Sequence, residues 1–200
     1  AKVSEVEKSI SRKKAPLLFN LAELQAECAE LFKISPDQTL EVVQELYERK
    51  LTTYPRTDAR VLSTAVAKEI HKNLYKLRDY QPTKEFTQNI LDKHLHNGLL
   101  KTQYVDDSKI TDHYAIIPTG QVSGLSGLSS LHNDVYQLIV RRFLSIFYPP
   151  AEYMTIKLVI RVKDEQFTAN SKILKNKGYM EISGVPKSTE GEEDNEQQKQ

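Results

Sequence analysis

The chain has 200 residues and a mass of 22.9 kDa, enough for one ordinary domain or two small ones. A hydrophobic content of 39% supports a core but lies below the usual globular average, and no apolar run reaches membrane-spanning length. The formal net charge of +1 argues against a protein that coats duplex nucleic acid, although a local basic cleft is compatible with it.

That charge averages a basic body and an acidic end. Residues 190–196 are strongly acidic, whereas Ser11-Arg-Lys-Lys14, Arg141-Arg142 and residues 172–177 are basic. The single cysteine, Cys28, excludes an internal disulfide and a cysteine-based zinc site, which points to an intracellular protein. Cys28 falls on the apolar face of a predicted helix, so burial is its expected role rather than reactivity. The chain opens without an initiator methionine and is expected to be an internal piece of a longer polypeptide.

In chain order, residues 1–14 read as an exposed strand and linker ended by Pro16. Asn20 is placed to cap a helix, with Glu23 reaching back at the third position and Leu21, Leu24, Cys28 and Leu31 at helical spacing. A second helix starts at Ser35 as cap, Pro36 at the first helical position and Gln38 completing a capping box. Leu40, Val43, Leu46 and Tyr47 form its inward stripe as far as about Lys50. A third helix is predicted over residues 63–77. A fourth, near residues 84–95, is expected to stop at Gly98 as its C-cap. His94 and His96, two residues apart, would point to different helix faces, so they read as complements to the helix dipole rather than as a metal pair.

Residues 101–120 are irregular apart from a short buried run, Ala115-Ile-Ile117, and residues 122–130 read as a Gly/Ser-rich connecting loop. A long helix follows, with Leu131, Val135, Leu138, Ile139, Phe143 and Ile146 inward, and Pro149-Pro150 ends the helical block. The period then changes to two. Met154, Ile156, Leu158, Ile160 and Val162 alternate with Tyr153, Thr155, Lys157, Val159 and Arg161, as in a half-buried strand. Asp164-Glu165 is expected to turn the chain back into a strand over residues 167–173, and Asn176-Lys-Gly178 to precede another short strand ending at Ile182. Beyond Gly184 the chain is polar, charged and free of aromatics, as a disordered tail or linker would be. The fold class is α+β: a helical domain at residues 17–149 inserted between β segments at residues 1–16 and 150–184, with an acidic tail at residues 185–200.

Chemistry concentrates in Leu51-Thr-Thr-Tyr-Pro-Arg-Thr-Asp58. Thr52 and Thr53 are β-branched, and Pro55 biases Tyr54 toward an extended backbone, so the phenol is expected on a stiff connector between helices. Arg56, two residues on, would point to the same side. A tyrosine hydroxyl beside a guanidinium suits phosphoryl transfer to tyrosine, because the planar cation holds phosphate oxygens bidentately as charge redistributes. By residues alone, the favoured reading is a Tyr-Pro turn packed on a helix beside a solvated arginine.

Thr53-Tyr-Pro-Arg-Thr-Asp58 resembles the active-site tyrosine motif of type IA DNA topoisomerases. Thr111-Asp-His-Tyr-Ala-Ile-Ile-Pro-Thr119 is similar to the histidine motif that follows in that family, and Pro16-Leu-Leu-Phe-Asn-Leu-Ala-Glu-Leu-Gln25 to the entry of its tyrosine-bearing domain. Three segments in the family's order, over nearly the whole chain, match the bacterial topoisomerase III branch best.

The resemblance implies a tyrosine-bearing helical domain inserted in a β-rich arch that closes a toroid around DNA. It implies that Tyr54 attacks single-stranded DNA to form a 5′-phosphotyrosine, without ATP, so that supercoils are relaxed or DNA is decatenated. Arg56 would stabilise the phenolate and hold the scissile phosphate, and His113 would contact the DNA backbone. Thr57 and Asp58 would shape the turn or contact DNA, with Asp58 alternatively a helix cap, while Gln25 would contact DNA or only pack. Ala59 departs from the family, which often has serine there. The family's Mg²⁺-binding acidic cluster and general-acid glutamate belong to a separate N-terminal domain. No run here resembles it, and Asp106-Asp107 and residues 190–196 read as solvated loop charges. The expected partners are therefore single-stranded DNA and that missing domain, with no membrane, and the expected location is bacterial cytoplasm at the nucleoid. Two other classes stay open: a non-catalytic helix-turn-helix DNA-binding module, and an interaction domain without DNA. A Tyr54 ring buried in the helical core would favour these.

Overall fold

The computed structural model describes residues 2–163 and 165–186, the side chains of residues 2–4 excepted. Asp164 and the acidic run at residues 190–196 lie outside the described residues, as does the expected linker from residue 187 onward. The architecture is α+β, in two compact units. One comprises residues 16–148, and the other residues 1–15 with the chain from residue 149 onward.

The helical unit is built where local signals start helices. The Asn20 side chain accepts the Glu23 N–H and opens α1, Leu21–Phe32. Only half of the expected capping box forms, because the Glu23 carboxylate turns to Arg60 at 3.6 Å. Leu24 and Cys28 are buried, whereas Leu31, expected inward, is 54% exposed. Burial pushes the Cys28 thiol up to about 11, which makes it inert rather than reactive.

A full capping box of Ser35 and Gln38, with Pro36 first in the helix, opens α2, Pro36–Glu48. Its buried face is Thr39, Val42, Val43 and Leu46. Tyr47 lies beyond the edge of that stripe and is 39% exposed.

The expected third helix is broken. Ser63 caps α3, Thr64–Lys68, and after Glu69 the chain resumes as α4, Ile70–Leu77. Asp107 helps start α3, for its carboxylate accepts the Thr64 N–H at 2.8 Å and the Thr64 hydroxyl at 2.6 Å. Asp106 caps a short turn by accepting the Ser108 N–H. The Asp106-Asp107 pair is thus built into turns rather than merely solvated.

Next comes α5, Lys84–Asp92, shorter than expected. The left-handed residue that ends it is His94, at φ 52°, and Gly98 sits inside the following 3₁₀ segment, Leu95–Lys101. Burial, with His94 nearby, pushes the His96 imidazole below its usual range, so it is a poor cation for a helix dipole. Finally α6, Ser130–Ser145, is capped by Ser129 and buries Val135, Tyr136, Ile139, Val140, Phe143 and Leu144. It meets α2 through His132, whose Nε2 lies 2.7 Å from Glu45 Oε2. The Arg49 guanidinium, helped by His132, holds the Glu45 carboxyl below the usual carboxylate range.

The second unit is a three-stranded antiparallel sheet in the order β1-β2-β3, with β1 Lys2–Lys13, β2 Ala151–Val162 and β3 Glu165–Asn176. Glu165 already pairs with Val162, so it belongs to β3 rather than to the turn. Met154, Ile156, Leu158 and Ile160 share a face with Val6 and Ile10 of β1 and with Phe167 and Ile173 of β3. That apolar face is largely open (Ile10 is 70% exposed), and the buried β2 residues Tyr153 and Val159 lie on the opposite one.

The short strand expected up to Ile182 is instead α7, Met180–Ser183. Gly178 makes the turn into it at φ 51°, so close to Pro149 and Pro150 that an added Cβ would lie 2.4 Å from both carbonyl oxygens. Gly178→Ala is therefore expected to cost more than about 1 kcal/mol in denaturant unfolding, with the loss reported from this sheet unit.

Candidate active site

The site lies on an extended segment, residues 51–62, that runs between α2 and α3. Lys50 takes a left-handed φ of 61° and turns the chain off α2. The segment then ladders with residues 115–119. The Thr53 N–H donates to the Ile117 carbonyl at 3.0 Å, and the Thr119 N–H to the Leu51 carbonyl at 3.0 Å. The Thr53 hydroxyl does more than its backbone: it donates to the Ala115 carbonyl at 3.0 Å and accepts the Ile117 N–H at 2.9 Å. Thr119 returns the tie, its hydroxyl donating to the Lys50 carbonyl at 2.6 Å.

Past Pro55 the chain bends, with the Thr57 N–H donating to the Pro55 carbonyl at 3.0 Å. Thr57 is buried, and its hydroxyl donates to the His113 carbonyl at 3.1 Å while accepting the Ala59 N–H. The rest of the segment is tied to the entry of α1. The Leu21 N–H donates to the Thr57 carbonyl, the Leu18 N–H to the Arg60 carbonyl, and the Asn20 amide to the Asp58 carbonyl. One stretch of twelve residues thus orders two distant ones.

This frame brings Tyr54 and His113 together. The Tyr54 ring is half-buried, 4.3 Å between centroids from His113 at a 40° tilt, and 5.3 Å from Tyr47 in an edge-to-face contact. Tyr54 faces a cavity of about 370 Å³ lined by Tyr47, Lys50, Thr52, Thr53, Tyr114 and His113, with Thr119 at one side. Burial pushes the Tyr114 phenol above its usual value.

Arg56 is exposed and is not part of the cavity lining. The bend at Pro55 interrupts the strand alternation that would have set it on the side of Tyr54. Among the described residues no carboxylate or hydrogen-bond acceptor engages its guanidinium. Asp58 is exposed and caps no helix, since Ser63 is the cap of α3. Gln25 stands apart, its amide donating to the Pro36 carbonyl at 3.1 Å and joining α1 to the start of α2. Among the described residues no group of three or more His, Cys, Asp or Glu is placed to hold a metal ion, so the residues present do not fit a Mg²⁺ site. Also among the described residues, no helix is long and apolar enough to cross a membrane.

The family model for DNA topoisomerase matches residues 1–200. This chain belongs to the DNA topoisomerase family. The DNA topoisomerase 3 of Bacillus subtilis is 35% identical to it over 201 residues, covering 99% of this chain and 27% of that protein. The DNA topoisomerase 3 of Shouchella clausii is 37% identical over 194 residues, covering 96% of this chain and 25% of that protein. The chain therefore spans about a quarter of the length of these topoisomerase relatives. Full-length topoisomerase I from Thermotoga maritima shares the fold, with a TM-score of 0.63 at 23% identity over 94% of this chain and 30% of that one. The type IA resemblance read from the three motifs agrees with these matches.

Sequence reasoning missed Tyr47, Lys50, Thr52, Thr53 and Tyr114 as lining of the cavity beside Tyr54. Apolar spacing puts Tyr47 in the core stripe of α2, and only its place one residue past Leu46, at the helix end, marks it as an edge position. Thr53 carries the testable consequence. Thr53→Val would leave the buried Ala115 carbonyl and Ile117 N–H without the hydroxyl, and is expected to lower stability by about 2 kcal/mol in urea unfolding.

Proposed function

We propose that this chain is the tyrosine-bearing part of a type IA DNA topoisomerase, in which Tyr54 cleaves and religates single-stranded DNA. The observation that carries this reading is the Tyr54 ring held half-buried against His113 and Tyr47 in the lining of a cavity, in a chain of this family. A ring sealed in the core would have served packing alone.

In the proposed step the Tyr54 phenolic oxygen attacks a backbone phosphorus. The P–O3′ bond breaks, the 3′ oxygen leaves with a proton, and the 5′ phosphate stays on Tyr54. Religation reverses each bond: the 3′ hydroxyl attacks phosphorus and tyrosine leaves. One phosphodiester is exchanged for another, so no ATP is required. A free phenol titrates near pH ~10, so a nucleophile of this kind needs a cation or hydrogen bonds to favour its anion. Arg56, exposed and without a described partner, is the group assigned to the phosphate oxygens, which asks it to reach toward the scissile position when DNA binds. His113 contacts the DNA backbone beside the Tyr54 ring. Thr57 and Gln25 act through the fold, because their polar groups are spent on the His113 and Pro36 carbonyls. Asp58, exposed next to Thr57 in the chain, lies at the edge of the DNA path.

The Mg²⁺ ligands and the general acid are assigned to an N-terminal metal-binding domain outside this chain, and the 200-residue chain alone is expected not to cleave DNA. The proposed role, relaxation or decatenation, places the protein in the bacterial cytoplasm with the chromosome. In the full-length polypeptide, with Mg²⁺ and 3′-labelled single-stranded DNA, a covalent adduct is expected that vanishes in Tyr54→Phe. Arg56→Ala is expected to slow its formation about 100-fold. An undiminished adduct in Tyr54→Phe would overturn the assignment.

A further inference from the structure

The cavity beside Tyr54 is larger than a phosphate needs, and its walls are of a different chemistry. Two aromatic rings other than the nucleophile line it, Tyr47 and Tyr114. Tyr47 is 39% exposed despite standing on a helix whose neighbouring positions Val43 and Leu46 are fully buried. Thr52, also in the lining, is only 1% exposed, and its hydroxyl is buried without a hydrogen-bond partner. Such a group is costly to leave unpaired and is uncommon in a folded protein. By contrast, the Thr53 and Thr119 hydroxyls in the same wall are both used by the backbone. Lys50 is exposed at the rim, and among the described residues no carboxylate pairs with its ammonium.

We propose that this cavity is a nucleobase pocket, which takes one base of the single strand next to the phosphate under attack. Aromatic faces suit a base of any identity, because every base has a π-face to stack. The Thr52 hydroxyl is both donor and acceptor and lies buried in the wall, so a small shift of its neighbours on binding brings it to the polar edge of the base and gives it a partner. Lys50 at the rim meets the phosphate that joins this nucleotide to the next. The pocket would hold the strand in register with Tyr54 by gripping a base, while Arg56 and His113 grip the backbone. This rests on the assignment of Tyr54 to DNA cleavage, but it is tested by binding alone.

The chain, as wild type and as Tyr54→Phe, is titrated with a short single-stranded oligonucleotide while amide and side-chain NMR resonances are followed. The titration is repeated with an abasic nucleotide at each position in turn. Saturable shifts are expected at Tyr47, Thr52 and Tyr114, and one abasic position is expected to bind at least about fivefold more weakly, as the loss of one stacked base predicts. Tyr47→Ala should reproduce that loss on the intact oligonucleotide and show no further loss on the abasic one, whereas Tyr47→Phe should bind like wild type. Thr52→Val should weaken the intact oligonucleotide several-fold and leave the abasic one unchanged. Equal affinity for intact and abasic strands, or no shifts at these residues at millimolar oligonucleotide, would overturn the pocket. If the pocket binds a base but the full-length protein forms no Tyr54-dependent adduct, the cleavage assignment fails and the pocket stands. The converse result removes the pocket alone.

Discussion

The Thr53 hydroxyl, shared between the Ala115 carbonyl and the Ile117 N–H, is the tie on which the site depends. It joins residues more than sixty positions apart and does so one residue before Tyr54. With Thr57 holding the His113 carbonyl three residues beyond Tyr54, the tyrosine is fastened on both sides to the segment that carries its ring partner. Both threonines use side chains where a regular ladder would use backbone, which lets Tyr54 and Pro55 leave the pairing pattern, with Tyr54 facing the cavity. Removing either hydroxyl exposes the same weakness: a buried backbone group with no replacement partner.

The helices serve this arrangement from outside. Leu46 anchors the end of α2, its carbonyl accepting the Leu51 N–H, so the helix hands the chain to the site within a single reversal at Lys50. The same helix end supplies Tyr47 to the Tyr54 ring. The start of α1 supplies Leu18 and Leu21, whose N–H groups fix the far end of the segment through Arg60 and Thr57. Arg142 of α6 is stacked 4.0 Å from the Phe19 ring and donates to the Leu17 carbonyl at 2.9 Å, which steadies that entry in turn. Order at the tyrosine is thus inherited from packing on three sides rather than from the motif itself.

What could be read from the sequence followed from this division. Capping at Ser35 acts over three or four residues, so that helix start was legible, as were the β segments at the two ends of the helical unit. The motif residues Tyr54 and His113 were legible through resemblance, and they meet in space. Features fixed by distant partners were not. His94 rather than Gly98 takes the left-handed turn, because helix α5 ends earlier than its apolar spacing suggests. Tyr47 was assigned inward because spacing cannot tell a core position from the rim of a cavity. Gly178 was read as leading into a short strand, but the helix that follows it depends on the Pro149 carbonyl accepting the Tyr179 N–H, a contact thirty residues away in sequence.

Three tyrosines line one cavity, and only one is assigned as nucleophile. The most direct test is to trap the covalent DNA adduct of the full-length protein by denaturation, digest it, and locate the DNA-bearing peptide by mass spectrometry. The account predicts a nucleotide attached through its 5′ phosphate to Tyr54. Attachment to Tyr47, Tyr114 or any other residue, or through a 3′ phosphate, would contradict it.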